Sequence, residues 1–285
     1  MDLAFNSPVE QLLFSKMTGK GVEVFIKRDD LIHPFVSGNK WRKLKYVVAD
    51  ARSKSKNHLV SFGGAYSNHL VALACAGAIF KFKTSAFVRG EQVKNHMLSL
   101  CEMWGMELYF VSRESYKNKI ALYDENYGTS NHTYFIDEGG RGDLAAHGCS
   151  EILENCSGFT HVISAVGTGT TIAGIARAAI GKNMIAEGIC SLKGASEMDK
   201  EIEMMAGYPV KIHHQFSRRG YGKSDDELMQ YMKGFASETG ILIDQVYTGK
   251  MMMAVNELID QGYYPEGSKL LLVHTGGILG MLTEI

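Results

Sequence analysis

Surplus charge, proline, paired cysteines and long apolar runs are what this sequence has little of. Its 285 residues hold 30 lysines and arginines against 31 aspartates and glutamates, so no basic surplus marks it for nucleic acid. Only four prolines occur, and no stretch has the composition of a disordered linker. The five cysteines, Cys75, Cys101, Cys149, Cys156 and Cys190, are odd in number and form no Cys-x-x-Cys pair. That argues against a disulfide framework or a zinc site and suits reduced thiols in a cytoplasmic protein. Apolar runs such as 70–80 are too short to cross a bilayer. Met1 to Glu10 has neither a basic nor an apolar leader region, so export is not expected.

What remains is an alternation of short apolar runs, glycine-bearing turns and helical patterns. Val22 to Lys27 alternates as a strand, and Val9 to Met17 reads as a loop or short helix. Strands are expected at 59–62, 84–88, 106–111, 134–136, 161–166, 184–190, 210–216 and 269–274, with a short extended piece at 245–247. Helices are expected at 41–52, 68–79, 93–104, 114–125, 144–155, 171–179, 197–206, 225–238 and 250–259, and a last one after Gly277. Ser224, three residues before Glu227, reads as a helix cap. Strands alternating with helices imply an α/β fold with mainly parallel sheets flanked by helices. Ligands of such sheets bind beyond the carboxyl ends of the strands. The turns to watch are therefore 63–69, 139–143, 167–171, 218–223, 247–249 and 275–277.

Lys40 follows Ser37-Gly38-Asn39 at the start of a helix. The positive end of the helix dipole disfavours an ammonium there and lowers its pKa, which suits a Schiff-base lysine. Most lysines are solvated surface charges, so the reading needs support. Gly167-Thr168-Gly169-Thr170-Thr171, between a strand and a helix, is a phosphate cradle of backbone amides and hydroxyls. Position 172 is isoleucine, so the loop is not a dinucleotide fingerprint, which disfavours a nicotinamide oxidoreductase. Gly222-Lys223-Ser224 imitates the end of a nucleotide-binding loop, but Ser217 stands where its first glycine belongs.

Ser67-Asn68-His69 opens another helix whose free amides suit a carboxylate, although Ser67 alone equally suits a plain cap and His69 a packed histidine. Tyr221 and Tyr247 sit in carboxyl-end turns, where a tyrosine stacks on a ring, moves a proton or simply packs. The adjacent His213 and His214 point to opposite faces of a strand, and no histidine shows metal spacing. A helix-start lysine, a separate phosphate cradle and hydroxyls on neighbouring strand ends together suit pyridoxal 5'-phosphate.

The motifs Ser37-Gly38-Asn39-Lys40 with Arg42-Lys43, Ser67-Asn68-His69, Gly220-Tyr221-Gly222, Asp244 to Lys250 and His274-Thr275-Gly276-Gly277 resemble, in order and over nearly the whole chain, the 1-aminocyclopropane-1-carboxylate (ACC) deaminase/D-cysteine desulfhydrase family. That family belongs to the tryptophan-synthase-β-like, fold-type II pyridoxal-phosphate enzymes. The resemblance implies two α/β domains, 1–44 with 139–285 and 45–138, with the cofactor in the cleft between them, and a homodimer. It implies that Lys40 carries the cofactor and exchanges the Cα proton. Asn68 would bond the cofactor's phenolic oxygen, and Gly167 to Thr171 with Lys43 would hold its phosphate. Ser67, Asn68, His69, Tyr221 and Tyr247 would face the substrate. Thr275, or else Thr248, would meet the ring nitrogen.

At position 248 the ACC deaminases carry a glutamate. A carboxylate there protonates the ring nitrogen and strengthens the electron sink; a threonine leaves it nearer neutral, which suits elimination of a good β-leaving group. The sequence thus favours D-cysteine desulfhydration over ACC deamination to 2-oxobutanoate, and a non-catalytic ligand-binding relative is a third expectation. The chain is short for that family, and the turn at Tyr66 differs from many relatives.

Overall fold

A computed structural model describes Leu3, residues 5–220 and residues 222–283. The short strands β1 (Val9–Gln11) and β2 (Glu23–Lys27) precede α1 (Asn39–Ser53). There follow β3 (His58–Gly64), α2 (Asn68–Phe80), β4 (Lys83–Arg89), α3 (His96–Met103), β5 (Glu107–Val111), α4 (Lys119–Tyr127) and β6 (Thr133–Phe135). The chain continues through α5 (Asp143–Ser150), β7 (His161–Val166), α6 (Thr170–Ile180), β8 (Ile185–Cys190), α7 (Met198–Ala206) and β9 (Lys211–His213). It closes with α8 (Asp226–Thr239), α9 (Thr248–Asp260) and β10 (Lys269–Val273).

Two sheets form. The larger runs β1-β2-β10-β7-β8-β9 and the smaller β5-β4-β3-β6. All pairs are parallel except β1 with β2. The unbroken apolar character of β7 and β10 follows from coverage on both faces. Ile163, Leu270 and Leu272 enter the core beneath α8 and α9. Their neighbours Val162, Leu271 and Val273 enter the opposite core, with α6 and α7. The chain is thus α/β, with parallel sheets flanked by helices.

Helix α1 links the two sheets. Its apolar stripe, Trp41, Leu44, Val47, Val48 and Ala51, is buried in the core of the small sheet, and Trp41 stacks on Phe80 of α2 at 5.5 Å. Its first residue is tied to the large sheet instead: the Asn39 N–H donates to the Thr275 carbonyl, 3.3 Å away, just past β10. One helix anchored at each end to a different sheet puts Lys40 between them.

Local differences from the sequence reading have local causes. Val9–Gln11 is an edge strand, antiparallel to β2 with Val9 opposite Lys27; three residues are too few for a periodic signal. Asp225, not Ser224, caps α8, its carboxylate accepting the Leu228 N–H at 3.0 Å. The expected strand at 210–216 ends at His213 and turns into a 3-10 segment, His214–Ser217. The segment at 245–247 is a capped turn rather than extended, and the last helix is a 3-10 segment, Ile278–Thr283. The helix expected at 114–125 begins only at Lys119, where the Asn118 side chain accepts the Ala121 N–H.

Candidate active site

A cavity of about 1360 Å³ opens where the carboxyl ends of the two sheets face each other. Lys40, the second residue of α1, is on its wall. The helix is preceded by Gly38 with φ 56° and ψ −132°, a conformation that disfavours a side chain. Space forbids one too, because a Cβ at 38 would lie 1.9 Å from the Thr275 carbonyl oxygen. Burial, and then the neighbouring Lys43 ammonium, bring the Lys40 amine down from 10.5 to about 7. Near neutral pH a large fraction of this amine is therefore unprotonated and nucleophilic.

Lys43, one turn further along α1, is buried. Its Nζ donates to the Gly139 carbonyl at 3.0 Å and lies 3.5 Å from Thr168 Oγ1. Burial lowers its pKa as well. Thr168 belongs to the turn between β7 and α6, where Gly169 adopts φ 80° and the amides of the first helical turn point outward. Gly167, Thr168, Gly169 and Thr171 line the cavity. Thr170 does not; its hydroxyl is buried and makes no hydrogen bond. Asn39 ties the two helix starts together, its Nδ2 donating to Thr171 Oγ1 at 2.9 Å.

On the facing wall, Ser67, Asn68 and His69 begin α2. The Ser67 hydroxyl accepts the Leu70 N–H at 3.4 Å, so it caps the helix and lines the cavity at once. Asn68 rests against Gly277, where a Cβ would come within 2.9 Å of its Nδ2. His69 is buried with Nε2 2.8 Å from Ser61 Oγ, and Ser61 donates to the Ile136 carbonyl. The serine proton is thus committed, so Nε2–H is the donor and Nδ1 carries the lone pair. Burial, with Lys40 and Lys43 nearby, holds the ring well below the usual imidazole value and neutral.

Tyr247 lines the cavity on the large-sheet side, where a Cβ at Gly167 would come within 2.9 Å of its ring. Thr275 lines it at the end of β10. Thr248 does not line it. It is fully buried, with its hydroxyl donating to Asp244 Oδ1 at 2.7 Å. The other tyrosine singled out in the sequence, Tyr221, lies outside the described residues. The structure therefore brings Lys40, Lys43, Ser67, Asn68, His69, Gly167, Thr168, Gly169, Thr171, Tyr247 and Thr275 to one cavity.

The sequence reading overlooked Asn39 and Asp244. Asn39 lay inside a motif read only for its lysine. Asp244 is an aspartate whose side chain binds the N–H two residues on, a turn pattern that short sequence signals can suggest.

The profile of the family described as pyridoxal-phosphate dependent enzymes matches residues 2–276. The chain belongs to that family. Its cofactor is pyridoxal 5'-phosphate, and it is a fold-type II enzyme related to the ACC deaminases and D-cysteine desulfhydrases. A Thermotoga maritima protein provisionally named 1-aminocyclopropane-1-carboxylate deaminase is 29% identical, over 100% of this chain and 98% of that protein. The mitochondrial bifunctional D-cysteine desulfhydrase/1-aminocyclopropane-1-carboxylate deaminase of Arabidopsis thaliana is 27% identical, over 93% of this chain and 75% of that one. The crystal structure of an ACC deaminase homologue superposes with a TM-score of 0.86 at 26% identity, covering 98% of this chain and 91% of that one.

The wall fits the family's cofactor. An aldehyde would meet an amine with a pKa of about 7. A phosphate would meet the outward amides of the α6 start, with the Lys43 ammonium beside Thr168. Among the described residues, no helix is long and apolar enough to cross a membrane.

Proposed function

We propose that this enzyme is a lyase acting on D-cysteine: with one water, the substrate becomes pyruvate, ammonia and hydrogen sulfide. The cofactor, once bound, supplies an electron sink for the pair left when the Cα–H bond breaks. The chain's own residues do the rest.

Lys40 would hold the cofactor through its amine and, with that amine free, would take the Cα proton on its Nζ. An amine that titrates near 7 suits both duties, since each needs the free base. Lys43, Thr168, Thr171 and the amides that begin at Gly167 and Gly169 would bind the phosphate. Asn68 donates to the phenolic oxygen. The amides of the α2 start, with the Ser67 hydroxyl, would receive the substrate carboxylate, while the neutral His69, its Nε2–H held by Ser61, borders that pocket. Tyr247 and Tyr221 orient the substrate's β-substituent, and one of them protonates the departing sulfur. Thr275 is the partner of the ring nitrogen. On this reading residues 45–138 form the smaller of two units, and the enzyme works as a cytoplasmic homodimer; the five cysteines, all buried and unpaired, suit a reducing compartment.

The observation that carries desulfhydration over deamination is the side chain at the end of β10 and the start of α9. Thr275 lines the cavity, and Thr248 keeps its hydroxyl on Asp244. Neither position offers the ring a carboxylate. A nitrogen left near neutral makes a weaker sink, which suits loss of a good β-leaving group more than opening of a cyclopropane.

The test is keto acid release from D-cysteine, L-cysteine, D-serine and ACC under one set of conditions. D-cysteine should lead in kcat/KM by about ten-fold or more, a margin of ~1.4 kcal/mol in the barrier. If ACC gave 2-oxobutanoate faster than D-cysteine gave pyruvate, the deaminase reading, supported by the names of the relatives, would replace this one. Turnover of none of the four would point to a non-catalytic relative.

A further inference from the structure

The cavity is longer than the chemistry above needs. Past Ser67 an arm of it follows the carboxyl ends of β3, β4 and β5, lined by Gly64, Arg89, Val93, Phe110 and Arg113. D-cysteine, whose side chain ends one atom beyond Cβ, makes no use of such an arm.

Arg89 is the last residue of β4. It stands opposite Gly64 of β3 on one side and Val111 of β5 on the other. Because position 64 is glycine, no side chain there screens the guanidinium from the turn that leads to Ser67; a Cβ at 64 would lie 3.8 Å from Arg89 Nη2. The guanidinium also rests on the ring of the buried Tyr116, with Cζ 5.4 Å from the ring centre.

The arm has charge to spare. Arg28, Arg42, Arg141, Arg177 and Arg218 each meet a carboxylate. Among the described residues Arg89 and Arg113 form no ion pair, and both line the cavity, exposed at its mouth. Two carboxylates share that wall. Glu138 is answered by Lys119 at 3.4 Å, and Glu91 stands at the exposed rim. Two guanidiniums against one unanswered carboxylate leave the arm positive, and a guanidinium grips a carboxylate with two parallel hydrogen bonds. Neighbouring strands lie about 4.8 Å apart, so Arg89 is one strand step from the end of β3 and Arg113, just past β5, is two. A thioether carrying a 2-carboxyethyl chain covers about one such step, so its carboxylate comes first to Arg89.

We propose that Arg89, backed by Arg113, forms a subsite for an anion at the far end of the substrate's β-substituent, so that the enzyme prefers D-cysteine derivatives whose sulfur carries a short acidic chain. This rests on the lyase reading above and names its substrate class. The chemistry balances as before: the Cα proton goes to Lys40, and the Cβ–S bond breaks with its electron pair on sulfur, which takes up a proton. With one water, S-(2-carboxyethyl)-D-cysteine becomes pyruvate, ammonia and 3-mercaptopropanoate.

The experiment compares that acid with its amide, S-(2-carbamoylethyl)-D-cysteine, which has the same size and no charge on the chain. Keto acid release is measured with the cofactor-loaded wild type, Arg89→Met, Arg89→Lys and Arg113→Met. Wild type should favour the acid over the amide about ten-fold or more in kcat/KM, chiefly through KM. In Arg89→Met the two should come within about two-fold of each other. Arg89→Lys, which keeps the charge and loses the fork, should fall between, and Arg113→Met should lower the ratio less than Arg89→Met does. Equal use of acid and amide by the wild type would overturn the proposal. So would a ratio that Arg89→Met leaves unchanged, or one lost only in Arg113→Met. If the wild type turned over neither these compounds nor D-cysteine, the lyase reading would fail. The ratio of Kd values for acid and amide, from calorimetric titration of the loaded wild type and Arg89→Met, would then still judge Arg89.

Discussion

Thr248 and Asp244 bind each other twice: the Thr248 hydroxyl donates to Asp244 Oδ1 at 2.7 Å and accepts the Asp244 N–H at 2.8 Å. Asp244 also receives the N–H groups of Val246, Tyr247 and Thr248. The side chain expected to tune the cofactor is thus committed to holding the turn that presents Tyr247.

Two threonines, Thr248 and Thr275, should therefore behave differently. Thr248→Val strips a donor from Asp244 and an acceptor from its N–H, at a cost of about 1–2 kcal/mol. Its melting temperature should drop by roughly 2–6 °C. Thr275→Val should leave melting near wild type and instead shift the visible absorbance of the bound cofactor. Differential scanning fluorimetry and an absorbance spectrum distinguish them; a spectral shift in Thr248→Val alone would reverse the assignment of the nitrogen partner.

Lys40 makes the cofactor-free protein pH-sensitive in a definite direction. Between about 7 and 10.5 the unfolded chain holds a proton on this amine that the folded chain does not. Stability contributed at this site therefore rises with pH; the penalty of the buried ammonium is fully present below that window and gone above it. Lys40→Met removes the penalty. Its advantage in melting temperature over wild type should be largest on the acid side and shrink through the window, and a pH-independent difference would contradict the assignment.

Gly38 admits no side chain. An alanine there meets the Thr275 carbonyl oxygen at 1.9 Å and must hold φ 56°. Gly38→Ala should cost more than ~2 kcal/mol, since backbone cannot yield as a side chain tip can. It should also abolish cofactor retention by displacing Lys40. Full cofactor content after gel filtration would refute this.

The Thr170 hydroxyl, buried without a partner, costs the cofactor-free protein about 1 kcal/mol or more. Thr170→Val should make that form more stable and, because the hydroxyl does not line the cavity, should leave cofactor binding within about two-fold of wild type. Calorimetric melting of the cofactor-free protein and titration with pyridoxal phosphate measure the two quantities.

Much of this molecule was determined locally and so could be read from the sequence. The apolar runs of β7 and β10 announce strands covered on both faces, because burial there is a property of each residue. Gly167 to Thr171 announces an anion site, because the groups that make it are consecutive. Lys40 owes part of its depressed pKa to Lys43, only three residues further along the same helix. Only the tertiary structure decided what depends on neighbours remote in sequence. It set Thr275 against Gly38, turned Thr248 toward Asp244, and left Thr170 rather than its neighbours without a partner. The edge strand at Val9–Gln11 exists because β2 lies beside it. Lys250 looked like one more helical lysine until packing enclosed it with the Ser217 and Gly220 carbonyls. Hydrogen-bond direction and desolvation are set by what the fold brings near, and no pattern confined to one segment encodes that.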